Sequence, residues 1–93
     1  MKVRATHKVL KHNNKYVMFY SKWCSYSTKA IDKIKKSGET FRFYDIDSIQ
    51  NGMELILDDL NKNASKTNFD SNHTTRPIIF YKGNFIGGYS ELK

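Results

Sequence analysis

Cysteine and proline are scarce in this sequence, which holds one of each among its 93 residues. A single cysteine cannot form a disulfide within the chain, so we expect neither a disulfide-stabilised fold nor a Cys-x-x-Cys redox pair. Metal sites built from several thiolates of one chain are excluded for the same reason. Any redox chemistry of Cys24 therefore needs a sulfur atom from another molecule.

Long apolar runs and metal-binding histidine patterns are also missing. The longest apolar run is only a few residues, whereas a membrane-spanning helix needs about 20. The basic N-terminus, Met1–Arg4, is followed by no apolar stretch of the kind found in secretory signals. We therefore expect a cytoplasmic protein with no membrane contact. His7, His12 and His73 lack the spacing of a structural zinc site, and we expect no bound metal ion.

Acidic residues are outnumbered, since 16 lysines and arginines face 9 aspartates and glutamates, for a formal net charge of +7. Such a charge indicates either a nucleic-acid-binding protein or a basic surface that attracts other anions. The basic residues are dispersed along the chain rather than clustered, which favours the second interpretation. We therefore expect anionic partners other than nucleic acid.

Strand-like and helix-like segments alternate in the pattern of a single α/β domain over residues 1–93. Strands are predicted from short, bulky or alternating apolar segments at 16–20, 41–46 and 77–81, with 85–87 as a hairpin arm after the turn 82–84. Helices are predicted at 3–10, from Ser25 to a stop at Ser37-Gly38, and along the apolar face from Ile49 to Leu60. The last of these is predicted to be capped by Asp47-Ser48, and the polar segment 61–74 that follows is predicted to hold the helix end and then a long loop. A right-handed parallel unit and an antiparallel hairpin then give a mixed four-stranded sheet flanked by helices.

Cys24 lies at the predicted junction between the first strand and the next helix. The N–H groups that open a helix, together with its dipole, favour a thiolate over a thiol at this point. Lys22 adds a nearby positive charge, and Ser27 is placed to donate a hydrogen bond to the sulfur. Cysteines in such surroundings have a lowered pKa and are reactive. The alternative, that Cys24 is only a small buried apolar residue, stays open on position alone.

Three segments in order along the chain carry a family resemblance. They are Tyr20–Ser27 (YSKWCSYS), Thr75-Arg76-Pro77, and Phe85–Leu92 (FIGGYSEL). The first resembles the active-site segment of glutaredoxins, with Trp-Cys-Ser-Tyr-Ser in place of Cys-Pro-Tyr-Cys. The second resembles the family's Thr-Val-Pro segment with its cis proline, and the third its Gly-Gly signature. The resemblance implies a thioredoxin-like fold and a glutathione-dependent thiol–disulfide oxidoreductase.

The resemblance also implies a role for each matching position. Cys24 is the expected catalytic nucleophile, which takes glutathione as a mixed disulfide, with Ser27 in support. The expected glutathione contacts are the edge formed by Thr75, Arg76 and Pro77, the close approach at Gly88, the amides of Tyr89 and Ser90 for the γ-glutamyl carboxylate, Tyr26 beside the tripeptide, and Lys22 at its glycine carboxylate. Glutathione and glutathionylated proteins are the expected co-substrate and partners, and a monomer is expected.

Three departures from the family pattern refine these expectations. Ser27 stands where relatives have a second cysteine, which leaves a monothiol cycle in which free glutathione resolves the mixed disulfide. Relatives place a lysine three residues before the cysteine, whereas Ser21 holds that place here and Lys22 follows it. Relatives usually continue into a terminal helix, so we expect the C-terminal helix to be truncated or absent.

Other functions stay open at this point. Monothiol relatives can bridge a [2Fe–2S] cluster between two chains, although they most often carry Cys-Gly-Phe-Ser where this chain has Cys-Ser-Tyr-Ser. A redox-sensing module and an inactive thioredoxin-fold binding protein with a basic surface are further alternatives. A cysteine hydrolase is disfavoured, because no histidine lies near Cys24 in the sequence.

Overall fold

A computed structural model describes residues 3–92 of the chain. The helices are α1 (Ala5–Lys11), α2 (Ser25–Lys36), α3 (Gly52–Lys62) and the single turn α4 (Ala64–Thr67), and the strands are β1 (Tyr16–Tyr20), β2 (Phe41–Asp45), β3 (Ile78–Tyr81) and β4 (Asn84–Gly87). Two short 3-10 turns follow β2 and β4, at Ile46–Ser48 and Tyr89–Glu91. The alternation predicted from the sequence is therefore present in the described part of the chain.

The four strands form one mixed sheet in the order β2-β1-β3-β4. β1 and β2 are parallel, with Tyr20 opposite Asp45, and the other two pairings are antiparallel. The predicted combination of a parallel unit and an antiparallel hairpin is confirmed. Because β1 and β2 run in the same direction, the segments that leave their carboxyl ends lie side by side.

Both faces of the sheet are covered, which explains why β1 and β3 are apolar on both sides. On one face Val17, Phe19, Ile78 and Phe80 pack against α1 and α3. On the other face Met18 and Ile79 pack against Ala30 and Ile34 of α2, and against Leu92. α2 therefore has one face fixed on the sheet, which holds its N-terminus at the carboxyl end of β1.

The start of α3 differs from the prediction. Asp47-Ser48 does not cap it, because these residues belong to the 3-10 turn, where the Asp45 side chain accepts a hydrogen bond from the Asp47 amide. α3 begins at Gly52, after Asn51 in the left-handed conformation. A Cβ at Gly52 would overlap the Ile46 carbonyl oxygen, so the close packing of the two turns moves the helix start beyond the expected cap.

The segment 61–74 is more ordered than the polar loop predicted from its composition. The expected helix end is present, since α3 ends at Lys62. The expected loop, however, contains the turn α4 and Phe69, which is buried with its ring against Phe80 and Phe85. This aromatic anchor fixes the chain shortly before Thr75. Among residues 3–92, no helix is both long and apolar enough to span a membrane.

Candidate active site

Cys24 is the N-cap residue of α2 and is half-buried. Its amide donates a hydrogen bond to the Ser21 carbonyl at 3.2 Å, and its own carbonyl accepts from the Thr28 amide at 3.2 Å. The sulfur therefore stands where the first amides of α2 have no acceptor within the helix and where the helix dipole is positive. This is the strand–helix junction expected from the sequence.

The surroundings of Cys24 lower the pKa of its thiol. Partial burial is the largest single influence and would raise the pKa. It is outweighed by hydrogen bonds from the Ser27 amide, the Ser27 hydroxyl and the Tyr26 amide, and then by the positive charge of Arg76. All of these stabilise the thiolate, which is the nucleophilic form. The net result is a pKa below that of an ordinary cysteine, which favours the nucleophilic form.

The thiol opens into a cavity of about 690 Å³. Three segments that are far apart in sequence form its walls: the loop and first turn around Cys24, the loop before β3, and the turn after β4. The residues lining it are Ser21, Trp23, Cys24, Tyr26, His73, Thr74, Thr75, Arg76, Gly88, Tyr89, Ser90 and Glu91. These segments include the three motifs that carry the family resemblance.

The loop before β3 brings backbone polar groups to the sulfur. The Arg76–Pro77 peptide bond is cis, and the Arg76 carbonyl oxygen lies 3.7 Å from Cys24 Sγ. Behind this edge, His73 Nε2 lies 3.1 Å from the Pro77 carbonyl oxygen. Pro77 itself is buried beneath the edge rather than lining the cavity.

The turn after β4 is organised by Glu91. The Gly88 amide donates to Glu91 Oε1 at 2.7 Å, and the Ser90 hydroxyl donates to Glu91 Oε2. The Ser90 hydroxyl first, and then the Gly88 amide, lower the pKa of the Glu91 carboxyl, so it is ionised at neutral pH. The amides of Tyr89 and Ser90, which open the turn, have no acceptor within it.

Aromatic side chains form the outer wall. The rings of Tyr26 and Tyr89 lie 6.2 Å apart, and Lys29 and Lys33 stand over them at 5.6 and 5.9 Å from the respective centroids. Trp23 projects into solvent with 89% of its surface exposed. The wall is therefore both aromatic and positively charged.

The positions predicted from the sequence are distributed unevenly around this cavity. Tyr26, Thr75, Arg76, Gly88, Tyr89 and Ser90 line it together with Cys24, and Pro77 lies directly behind. Lys22 is not among the lining residues; its ammonium group lies 3.7 Å from Asp45 Oδ2, with the side chain 68% exposed. Ser27 is fully buried beneath the sulfur.

Sequence reasoning missed His73, Glu91 and Ser21 as parts of the site. The polar composition around His73 predicts a loop, and no local pattern indicates that this loop folds against Gly88. Glu91 differs, because an acidic residue three positions after Gly88 is the usual partner of a cap amide and was available as a signal. Among residues 3–92, no group of three or more histidine, cysteine or acidic side chains is arranged to hold a metal ion.

Comparisons with known proteins also point to the glutaredoxins. Residues 16–86 match the family model described as glutaredoxin. A probable glutaredoxin of Acanthamoeba polyphaga mimivirus is 36% identical over 77 residues, covering 83% of this chain and 73% of its own. A dithiolic glutaredoxin of Trypanosoma brucei brucei superposes with a TM-score of 0.71 at 27% identity, covering 99% of this chain and 84% of its own. A buckwheat glutaredoxin–glutathione complex superposes with a TM-score of 0.71 at 21% identity, covering 95% and 74%.

Proposed function

The chain belongs to the glutaredoxin family and has its thioredoxin-like fold, and from this premise we propose that it reduces glutathione mixed disulfides through Cys24 alone. The family and the fold support a thiol oxidoreductase. The proposal adds glutathione as the co-substrate and a monothiol cycle. The observation that carries it is the position of one thiol, with its pKa lowered, at the opening of a cavity of about 690 Å³.

The proposed reaction has two exchange steps. The Cys24 thiolate attacks the glutathione sulfur of a glutathionylated partner, a Cys24–glutathione disulfide forms, and the partner's thiolate leaves and takes up a proton. A second glutathione thiolate then attacks the glutathione sulfur held on Cys24. Oxidised glutathione leaves, and the Cys24 thiolate is regenerated. Each turn thus consumes one glutathione thiol and releases the partner as a thiol, and the second half of the oxidised glutathione comes from the mixed disulfide by way of Cys24.

Backbone groups are proposed to hold the tripeptide. The Thr75–Arg76 edge offers strand-like hydrogen bonds to the cysteinyl part of glutathione beside the sulfur. The amides of Tyr89 and Ser90, which line the cavity, would donate to the γ-glutamyl carboxylate. Support comes from the buckwheat neighbour, which was solved as a glutathione complex.

Lys22 remains a proposed contact for the glycine carboxylate. To reach it, the ammonium group must leave its surface pair with Asp45 at 3.7 Å, and such exposed pairs contribute little stability. Arg76 is already a cavity-lining basic residue. We therefore propose that Arg76 attracts the anionic substrate first and that Lys22 adds to binding once it has turned.

The test is a coupled assay that follows oxidised glutathione released from a small glutathione mixed disulfide. Cys24→Ser should abolish the activity, because no other thiol is present in the chain. Ser48→Ala is a matched control, since its hydroxyl bonds the Asp45 carbonyl at 2.7 Å outside the cavity, and it should behave as wild type. Equal activity of Cys24→Ser and wild type would contradict the proposal.

A further inference from the structure

Ser21, the first residue after β1, makes several hydrogen bonds within the loop that carries Cys24. It is buried, with 4% of its surface exposed. Its carbonyl accepts from the Cys24 amide at 3.2 Å, its amide donates to Ser27 Oγ at 3.2 Å, and its hydroxyl accepts from the Trp23 amide at 3.4 Å. One residue therefore contacts the cysteine, its predecessor and the serine beneath it.

The same hydroxyl anchors this loop to a second strand end. Ser21 Oγ donates to Asp47 Oδ2 at 2.5 Å, and Asp47 lies in the 3-10 turn that follows β2. The Asp47 amide is in turn held by Asp45 Oδ1 at 2.9 Å. Hydrogen bonds to an ionised carboxylate are stronger than those between neutral groups. The loop after β1 is thus attached to a turn that the parallel neighbour β2 holds in place.

Ser27 is the link between this anchor and the sulfur. A serine hydroxyl has one proton to donate and two lone pairs that accept. Because Ser27 Oγ accepts from the Ser21 amide, its proton is left for another acceptor. The Ser27 hydroxyl is also among the groups that lower the pKa of Cys24. Ser27 has no exposed surface, so water does not compete for this proton. The orientation of the hydroxyl depends on where the Ser21 amide is held.

We propose that Ser21 and Asp47 are positioning residues for Cys24, which hold the loop so that the Ser27 hydroxyl donates to the cysteine sulfur. Neither is proposed to touch the substrate's reacting atoms. The inference rests on the proposed function only in taking Cys24 as the reacting thiol.

The negative charge of Asp47 allows the proposed positioning effect on Cys24 to be distinguished from a direct effect of charge on the thiol. Removing a negative charge near a thiolate lowers the pKa of the thiol, whereas loss of the Ser27 hydrogen bond raises it. The other charged or titratable groups around the site would be unchanged: Arg76 before β3, the Lys22–Asp45 pair, and the His73 and Glu91 side chains across the cavity. The direction of the change in Asp47→Ala therefore identifies its cause.

The experiment measures the rate of Cys24 alkylation by iodoacetamide across pH in the full chain. The midpoint is the pH at which the alkylation rate reaches half of its alkaline maximum. Ser21→Ala and Asp47→Ala should each raise this midpoint by about 0.5 pH unit or more. The double variant should raise the midpoint no further than either single variant, because both changes break the same hydrogen bond between Ser21 and Asp47. Asp47→Asn keeps an acceptor oxygen and should return the midpoint to that of wild type or slightly below. Ser48→Ala, on the same turn, should not move it.

Circular dichroism first shows that each variant is folded. The proposal would then be overturned if neither Ser21→Ala nor Asp47→Ala changed the alkylation midpoint, or if Asp47→Ala lowered it. If Ser21→Ala fails to fold because the site is buried, Asp47→Ala carries the test from its exposed turn. A loss of thermal stability without a change in midpoint would indicate a merely structural role. Since alkylation needs no glutathione, an inactive protein with the expected alkylation profiles would contradict the proposed function and leave this inference standing.

Discussion

At the level of single residues, the Ser27 hydroxyl is the side-chain group that most directly affects Cys24. It stands where the pattern Cys-Pro-Tyr-Cys has its second cysteine, and it is buried and accepts a hydrogen bond from the Ser21 amide. A hydroxyl cannot resolve a mixed disulfide, but it stabilises the thiolate by donating to it. Relative to that pattern, a hydroxyl that lowers the pKa of Cys24 stands in place of a second thiol.

We expect Ser27→Ala to keep the thiol and to raise the pKa of Cys24, because one donor to the thiolate is lost. On the acid side of both titration midpoints, a midpoint higher by 0.5 to 1 pH unit would lower the thiolate fraction, and with it the alkylation rate, by about three- to tenfold. At strongly alkaline pH, where both thiols are ionised, the two rates should converge. An alkylation profile identical to that of wild type would show that the hydroxyl does not contact the sulfur.

At the level of elements, the end of β4 depends on a glycine. Gly87 has φ +137°, and a Cβ there would lie 2.5 Å from Glu91 Oε1. Both the backbone conformation and the space favour glycine at this position. The Glu91 carboxylate that would be displaced is the one that holds the Gly88 amide, so strain at this strand end reaches the cavity.

We expect Gly87→Ala to lower the free energy of unfolding by about 1–3 kcal/mol, from backbone strain and displacement of Glu91. Gly38→Ala is the matched control, because Gly38 also has a positive φ, +80°, but its Cβ would meet nothing within 4 Å. Urea denaturation gives the free energy of unfolding of both variants, and the difference between them separates the cost of the positive φ from the cost of the contact with Glu91. A smaller loss for Gly87→Ala than for Gly38→Ala would contradict the assigned contact with Glu91.

The elements were predictable where burial decides them and less so where contacts between turns do. β1 is apolar on both faces because helices cover both, and its predicted bounds are those observed. The start of α3 depends on Asn51 at positive φ and on the approach of Gly52 to Ile46, which no local pattern records. The order within 61–74 depends on Phe69 reaching β3 and β4, a contact that composition cannot indicate.

Residues of the site were likewise predictable where a motif places them, and not where tertiary packing does. Cys24 and the two backbone edges were placed by motifs, because a motif records which chain segments meet. Lys22 lies beside Cys24 in sequence, but the parallel pairing of β1 with β2 brings Asp45 within 3.7 Å of its ammonium group. His73 lines the cavity because its loop folds against the Pro77 carbonyl. Such contacts arise from tertiary packing rather than from sequence spacing.

At the level of the whole molecule, the charge of +7 should act on the rate of encounter with anionic substrates. Arg76 at the cavity and the lysines over Tyr26 and Tyr89 place part of this charge beside the thiol. Salt screens such interactions, since the Debye length falls from about 10 Å at 0.1 M to about 3 Å at 1 M.

We expect kcat/KM for a glutathione mixed disulfide to fall about threefold or more between low and high salt. A neutral disulfide measured alongside should show little change. Arg76→Gln should weaken the salt dependence, whereas Lys62→Gln should not, because Lys62 pairs with Asp58 at 3.0 Å on α3 and does not line the cavity. Equal salt dependence for charged and neutral substrates would contradict electrostatic attraction at the site.

Trp23 is the only tryptophan in the chain, it directly precedes Cys24, and it is almost fully exposed. Indole emission responds to neighbouring sulfur and charge, so the protein carries a built-in optical reporter one residue from its thiol. Attachment of glutathione should change the emission in a single step, and its removal should restore the original signal. Stopped-flow fluorescence could then time the two half-reactions separately, with no label and no coupling enzyme.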